Sequence, residues 1–447
     1  MDFIKYANEN KEQFLKDLKE LLKIDTVLVE QPEVKNAPFG ENLVKALEYM
    51  LDLGRKEGFV VKNIDNVAGH IEYGEGEEVI GVLCHLDVVP TGDGWTYPPF
   101  EPTIVDEKIY ARGSADDKGA CISSLYALKA LKESGVKLNK KIRLIFGTDE
   151  ETGSRGIKRY LEVEKMPDLG FSPDADYPII YGEKGILSFN IESNNINNEI
   201  IEFVSGDRYN VVPEVAYVVL RKDYSKQYNE FLKQNNYQGE IKDNKYYMYG
   251  KRAHAMEPRD GINAILRLIE FLDTILEDKF ISFIKHNFIC SRLNTINENF
   301  TDSEMGDLTS NVAILNIKNN KGMVGINFRY PINWDKEGFI ERLETKVNND
   351  GLIFKLLNDS KPHYVSKEDE LVKVLHKSYI KYTGDDQTPL LTIGGGTYAR
   401  SLKRAVAFGP MLPGRENVVH QVDEYIYIDD LLISVAIFAD ALKELSK

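Results

Sequence analysis

Two apolar runs constrain this chain more than anything else in it. Residues 79–84 (VIGVLC) and 141–147 (KIRLIFG) are short and largely apolar, the pattern of strands buried on both faces. Between them, Asp116 or Asp117 opens a helical repeat that carries Ile122, Leu125, Leu128 and Leu131, and Gly135 closes it. Strand, helix and strand in that order predict an α/β domain with a mixed, mostly parallel sheet. Two more helical faces precede the first strand. Residues 8–24 align Phe14, Leu15, Leu18, Leu21 and Leu22; residues 41–57 align Leu43, Leu47, Met50 and Leu51, with Gly58 at the stop.

The 447 residues exceed what one hydrophobic core usually holds, so two or three domains are expected. From about residue 184 the texture changes. Asn and Lys become frequent (SNNINNE, KQNNYQ, IKNNK), and alternating strand-like runs appear near 186–192, 215–220 and 324–330. Helices are predicted at 261–277 with Asp260 as N-cap and at 367–382 with Ser366 as N-cap. At TIGGGT (392–397) the glycine-rich, buried texture returns. The organisation predicted is a discontinuous first domain, residues 1–183 and 389–447, interrupted by an inserted α+β domain, residues 184–388.

Charge and cysteine usage exclude several classes. With 71 acidic against 56 basic residues the formal charge is −15, which disfavours nucleic acid and anionic membrane surfaces as partners. Cys84, Cys121 and Cys290 are odd in number and widely spaced, so no disulfide framework is expected and a reducing cytosol fits. The start, MDFIKYANEN, lacks the pattern of a signal peptide, and no stretch is apolar enough to span a membrane.

The chemistry sits at the ends of the apolar runs. His85 ends the first, with Asp87 two residues on; Asp116-Asp117 follow, then Glu150-Glu151 after the second run, then Asp174, and finally His420. In α/β proteins reactive groups collect at the carboxyl ends of strands. These are nitrogen and oxygen donors of the kind that hold zinc or manganese. A two-metal hydrolase needs a bridging carboxylate and a free base for the water's proton, and adjacent glutamates suit a ligand and a base side by side. Asp87 lies on the same side of the extended segment as His85 and can orient its ring. Asp117 is the rival to Asp116, and Asp176 the rival to Asp174. Cys84 should point away from His85 into the core. His70, His286, His363 and His376 fall outside any motif.

Five segments stand in order: HLDVVP (85–90), GSADDKG (113–119), TDEETGS (148–154), SPDA (172–175) and PGRENVVHQ (413–421). They resemble the ordered motifs of the clan MH co-catalytic metallopeptidases, and most closely those of the bacterial peptidase V-type, carnosinase-like dipeptidases. The resemblance implies a zinc-exopeptidase-like α/β domain with an inserted lid of two sub-halves. It implies that His85 and Asp174 hold one divalent ion, that Glu151 and His420 hold the other, and that Asp116 bridges them. Glu150 is then the general base and Asp87 orients His85. GKRAHAMEP (250–258) resembles the lid histidine motif, which gives His254 the substrate oxyanion; Met256 stands where a serine is common, which bears on the pocket's shape. Asn210, Arg329 and the glycine-rich stretch Gly394, Gly395, Gly396 and Thr397 match substrate-binding positions, Arg329 for a carboxylate. The implied activity is hydrolysis of short peptides with free amino and carboxyl termini. The implied cofactors are two Zn2+ ions, with Mn2+ or Co2+ as alternatives. The insert's length implies a monomer. Deacylation or desuccinylation of an amino acid by the same metal site is the nearest rival, and a non-catalytic relative a more distant one.

Overall fold

Every residue of the strand Val79–His85 is buried, and all but the first of Lys141–Gly147, in a computed structural model that describes residues 1–447. These two lie side by side in one sheet, in the order Val60–Ile64, Ala68–Tyr73, Lys141–Gly147, Val79–His85, Leu169–Ser172, Ala405–Ala407, then Ile180–Glu183. The four strands from Lys141–Gly147 to Ala405–Ala407 run parallel, and the flanking pairs run antiparallel. The parallel centre explains the unbroken apolar runs, because helices cover both faces. Helix Lys118–Ser134 packs on Val79–His85 and on helix Ile428–Leu445, whose residues are almost all buried. Gly135 ends the first of these helices at φ +65°, a left-handed turn that glycine adopts without a Cβ clash.

The chain divides into two units: residues 1–181, 364–391 and 396–447, and residues 182–363 with 392–395. The insert is therefore shorter than the predicted 184–388. Helix Glu370–Thr383 belongs to the first unit, where it buries Leu371, Val372, Leu375 and Tyr379 against helix Ile428–Leu445. Its Ser378 hydroxyl donates to Asp440 of that helix at 3.1 Å.

The second unit is built on an antiparallel sheet of eight strands, ordered Gln238–Lys242, Lys245–Tyr249, Val215–Leu220, Ile200–Ser205, Thr309–Lys318, Lys321–Tyr330, Gly185–Ser193 and Ile353–Ser360. The two sub-halves expected there share this sheet and one core. Two hairpins turn on residues with positive φ, Asp243-Asn244 (49° and 60°) and Asn319-Asn320 (52° and 59°), the backbone that tight two-residue hairpins require. The Asn-rich texture of this region is in part turn chemistry.

Helix boundaries move with their caps. Residues 8–24 make two helices, Phe3–Glu9 and Lys11–Leu22, broken at Asn10. The predicted helix 261–277 begins at Ala264, capped by Asn263 rather than Asp260; that at 367–382 begins at Glu370, capped by Asp369 rather than Ser366. In both cases the cap's side-chain oxygen accepts a backbone N–H of the first turn, at 3.2 Å and 2.8 Å.

Candidate metal centre

Three neighbouring parallel strands deliver the candidate ligands. Val79–His85 ends on His85; Lys141–Gly147, in register at His85↔Gly147, runs into Glu150-Glu151; Leu169–Ser172 runs into Asp174. Asp116 stands just ahead of helix Lys118–Ser134, and His420 lies in the loop before helix Ile428–Leu445.

The structure gathers these donors into two groups whose ligand atoms all lie within 4.8 Å of one another: His85, Asp116 and Asp174, and Asp116, Glu151 and His420. Asp116 belongs to both. One of its oxygens lies 2.8 Å from His85 Nε2, and the other 3.0 Å from His420 Nε2. His85 Nε2 is also 3.7 Å from Asp174, and His420 Nε2 3.0 Å from Glu151. Glu150 is in neither group. Asp176, the rival of Asp174, is in neither as well. Asp117, the rival of Asp116, points inward: it accepts the His85 backbone N–H at 3.1 Å and sits with Cys84 and Cys121 in a third, fully buried set of donors. Cys84 is buried, and all three cysteines are free thiols.

Asp87 is arranged differently from the sequence reading. The closer partner of His85 Nδ1 is the backbone carbonyl of Asp87, at 2.9 Å, while the Asp87 carboxylate is 3.6 Å away. That carboxylate accepts the backbone N–H groups of Glu150 and Glu151, each at 3.0 Å. With Nδ1 donating to a carbonyl, Nε2 is the nitrogen turned towards Asp116 and Asp174.

The electrostatics are those of a site built for cations. Burial raises the Glu150 carboxyl well above its ordinary range, and Asp174, Glu151 and Asp87 push it further. Burial, with Asp116 next, raises Glu151, and raises Asp174 to about 7. Burial acts to lower both imidazoles, but hydrogen bonds to the carboxylates reverse this: His85 is held well above its usual value and His420 rises to about 11. Burial also opposes ionisation of Asp116, yet its bonds to His420 and His85 keep it a carboxylate. Acid groups crowded this closely stay protonated, or borrow protons through histidine, unless a cation stands among them. The donor set, two imidazoles with mixed carboxylates and one carboxylate shared, fits a pair of divalent ions.

The insert's candidate residues fall into two clusters. Val211 pairs with His254 in a short ladder, and the Asn210 carbonyl accepts the Ala255 N–H at 2.9 Å, so Asn210 and His254 are held together. The His254 ring accepts the Met256 N–H at 3.0 Å through Nδ1. Arg329 is buried, donating to Asn327 at 2.9 Å and to the Gly394 carbonyl at 2.6 Å. A Cβ on Gly394 would lie 2.7 Å from that of Met256, so the unusual Met256 and the glycine fit each other. Gly395 is open to a side chain, whereas a Cβ on Gly396 would meet the Arg400 guanidinium at 2.8 Å. The Thr397 hydroxyl caps the short turn Tyr398–Ser401 by accepting the Ala399 N–H at 3.1 Å. Sequence reasoning missed Asn327, which braces Arg329, and Tyr398, whose ring meets that of His85 edge-on at 6.2 Å. The glycine-rich stretch 394–397 ends one residue short of Tyr398.

Comparison with known proteins agrees with this architecture. A protein of Bacillus subtilis (strain 168) named "Putative dipeptidase YtjP" is 43% identical over 98% of both chains. The crystal structure of human carnosine dipeptidase 1 superposes with a TM-score of 0.61 at 15% identity, covering 99% of this chain and 98% of that one. The Bacillus subtilis YXEP protein, described as a dinuclear metal binding peptidase from the M20 family, superposes with a TM-score of 0.52 at 10% identity, covering 98% and 99%. The profile of peptidase family M20/M25/M40 matches residues 81–444, and the chain belongs to that family.

Proposed function

We propose that this protein is a two-metal dipeptidase acting on short peptides with free amino and carboxyl termini. One observation carries the reading: Asp116 is common to both donor groups, while Glu150, beside the ligand candidate Glu151, is left out of both. His85 and Asp174 would hold one divalent ion, Glu151 and His420 the other, and Asp116 both. When bound, such ions lower the pKa of water towards neutrality and polarise a carbonyl. Glu150 takes the proton from the attacking water and returns it to the departing amine. The Asp87 carboxylate holds the Glu150-Glu151 backbone, and its carbonyl holds the His85 ring. His254 and Asn210 stabilise the oxyanion, and Arg329 takes the substrate carboxylate, with Gly394, Gly395, Gly396 and Thr397 lining that end. Zn2+ is favoured by its affinity for such donors, with Mn2+ and Co2+ as working alternatives. The free thiols suit a reducing, cytoplasmic setting, and no helix is long and apolar enough to cross a membrane.

The test is a substrate panel on metal-stripped protein with Zn2+, Mn2+ or Co2+ restored. Free dipeptides such as Ala-Leu and β-Ala-His are compared with tripeptides and with N-acetyl and N-succinyl amino acids. Cleavage of free dipeptides is expected. Cleavage confined to acylated amino acids would refute the dipeptidase reading and leave the metal site standing.

A further inference from the structure

We infer that Glu424 is a positioning residue: it ties the turn carrying Asp116 to the loop carrying His420, and so sets how tightly the group Asp116, Glu151 and His420 holds a divalent ion. This rests on the two-ion reading above. Glu424 is 1% exposed and follows His420 by four residues. Its Oε1 accepts the backbone N–H of Ala115 at 2.9 Å and of Asp116 at 3.2 Å. Its Oε2 accepts the N–H of Gly113 at 3.1 Å and Arg112 Nη1 at 2.7 Å. A single side chain thus accepts three backbone amides, of Gly113, Ala115 and Asp116, around the shared carboxylate.

Arg112 extends the brace. Its other terminal nitrogen donates to the carbonyls of Pro90 and Thr91, at 3.3 Å and 3.4 Å, in the loop that follows His85, and its guanidinium lies 5.1 Å from the Trp95 ring. The loop that leads into Glu424 is one that needs holding. His420 and Asp423 adopt φ of +64° and +57°, left-handed backbone that a non-glycine residue keeps only where its surroundings impose it. Asp423 is fixed by the Thr96 N–H at 2.7 Å, and Glu424 completes the anchor. His420 and Asp116 approach each other because the segments bearing them share this carboxylate.

The experiment is calorimetric titration of the metal-stripped, full-length protein with Mn2+, for wild type, Glu424→Gln and Arg112→Gln. Wild type should take up two equivalents. In Glu424→Gln the equivalent held by Asp116, Glu151 and His420 should weaken by ~10–100-fold and the other, which shares only Asp116, by less, and kcat should recover at saturating Mn2+ while the Mn2+ concentration for half-activity rises. Arg112→Gln separates positioning from bare charge. Removing a cation near the site should tighten Mn2+ binding if charge alone matters; loosening Glu424 should weaken it. Tighter binding in Arg112→Gln overturns the inference. So does a Glu424→Gln protein that melts at lower temperature yet binds both equivalents as wild type does. Should Glu424→Gln fail to fold, Arg112→Gln decides by itself. A wild-type protein that takes up fewer than two equivalents refutes the two-ion reading itself, whatever the variants do.

Discussion

Asp87→Asn tests the part of the site on which the structure and the sequence pattern differ. The side chain is fully buried, so water cannot replace a lost partner. Asn keeps the shape and one acceptor, but its NH2 group would face one of the two N–H groups, of Glu150 or Glu151, that the carboxylate now accepts at 3.0 Å. One backbone donor is left unpartnered in the turn that aims the proposed base and its neighbouring ligand. A hydrogen bond to a charged acceptor contributes about 1.5–3 kcal/mol, and leaving its buried donor orphaned costs a similar amount. At about 1.4 kcal/mol per tenfold in rate, the expected loss in kcat/KM is roughly 10- to 150-fold. The carbonyl that holds His85 Nδ1 at 2.9 Å belongs to the backbone and survives the substitution, so the ion at His85 and Asp174 should stay. The assay is initial-rate hydrolysis of Ala-Leu at saturating metal, with metal equivalents counted by elemental analysis on the same sample. A kcat/KM within threefold of wild type would refute the reasoning. Loss of the metal at His85 and Asp174, with the other retained, would show that the carboxylate acts on the histidine after all.

Glu150→Gln should keep both metals and lower turnover by ~100-fold or more, because an amide is too weak a base to take the water's proton and pass it on; turnover near wild type would remove Glu150 as the base. His420→Ala should retain one metal equivalent, and two equivalents by elemental analysis would strike it from the ligands. His70 supplies a pH test away from the metal centre. Burial, with Arg143 nearby, lowers its pKa to about 4, and its Nδ1 accepts the Tyr160 hydroxyl at 2.8 Å. Against an unfolded value of about 6.5, the unfolded chain takes the proton first, so this contribution is intact above pH 6.5 and fades towards pH 4, with about 1.4 kcal/mol lost by pH 5.5; chemical denaturation of metal-stripped wild type and His70→Asn should differ in slope with pH by that amount, and parallel curves would sink it. Light scattering should give a monomer of 50.9 kDa, and a stable dimer would contradict the reading of the insert.

Legibility in the sequence followed how local each feature is. The runs at 79–84 and 141–147 read as strands because a parallel centre is buried on both faces, and His85 and Glu150-Glu151 stood out because they follow those runs. Asp87 was legible only in part: its carboxylate does lie 3.6 Å from His85 Nδ1, but its shorter bonds go elsewhere. The alternation that places residues i and i+2 on one side holds inside a strand, but this strand ends at His85. Past that end the Asp87 carboxylate accepts the backbone N–H groups of Glu150 and Glu151, in the loop after the neighbouring strand. Helix 370–383 went to the wrong unit because an amphipathic face declares that it will be buried, not against what; its partner, Asp440, lies 62 residues from Ser378. Glu424 is the extreme case. It serves amides 309 and 311 residues away, and nothing near it in the sequence announces that. The donors of such a site can be read from the ends of strands, whereas the groups that hold those donors at their working distances come from wherever the fold brings a buried carboxylate to an unsatisfied backbone.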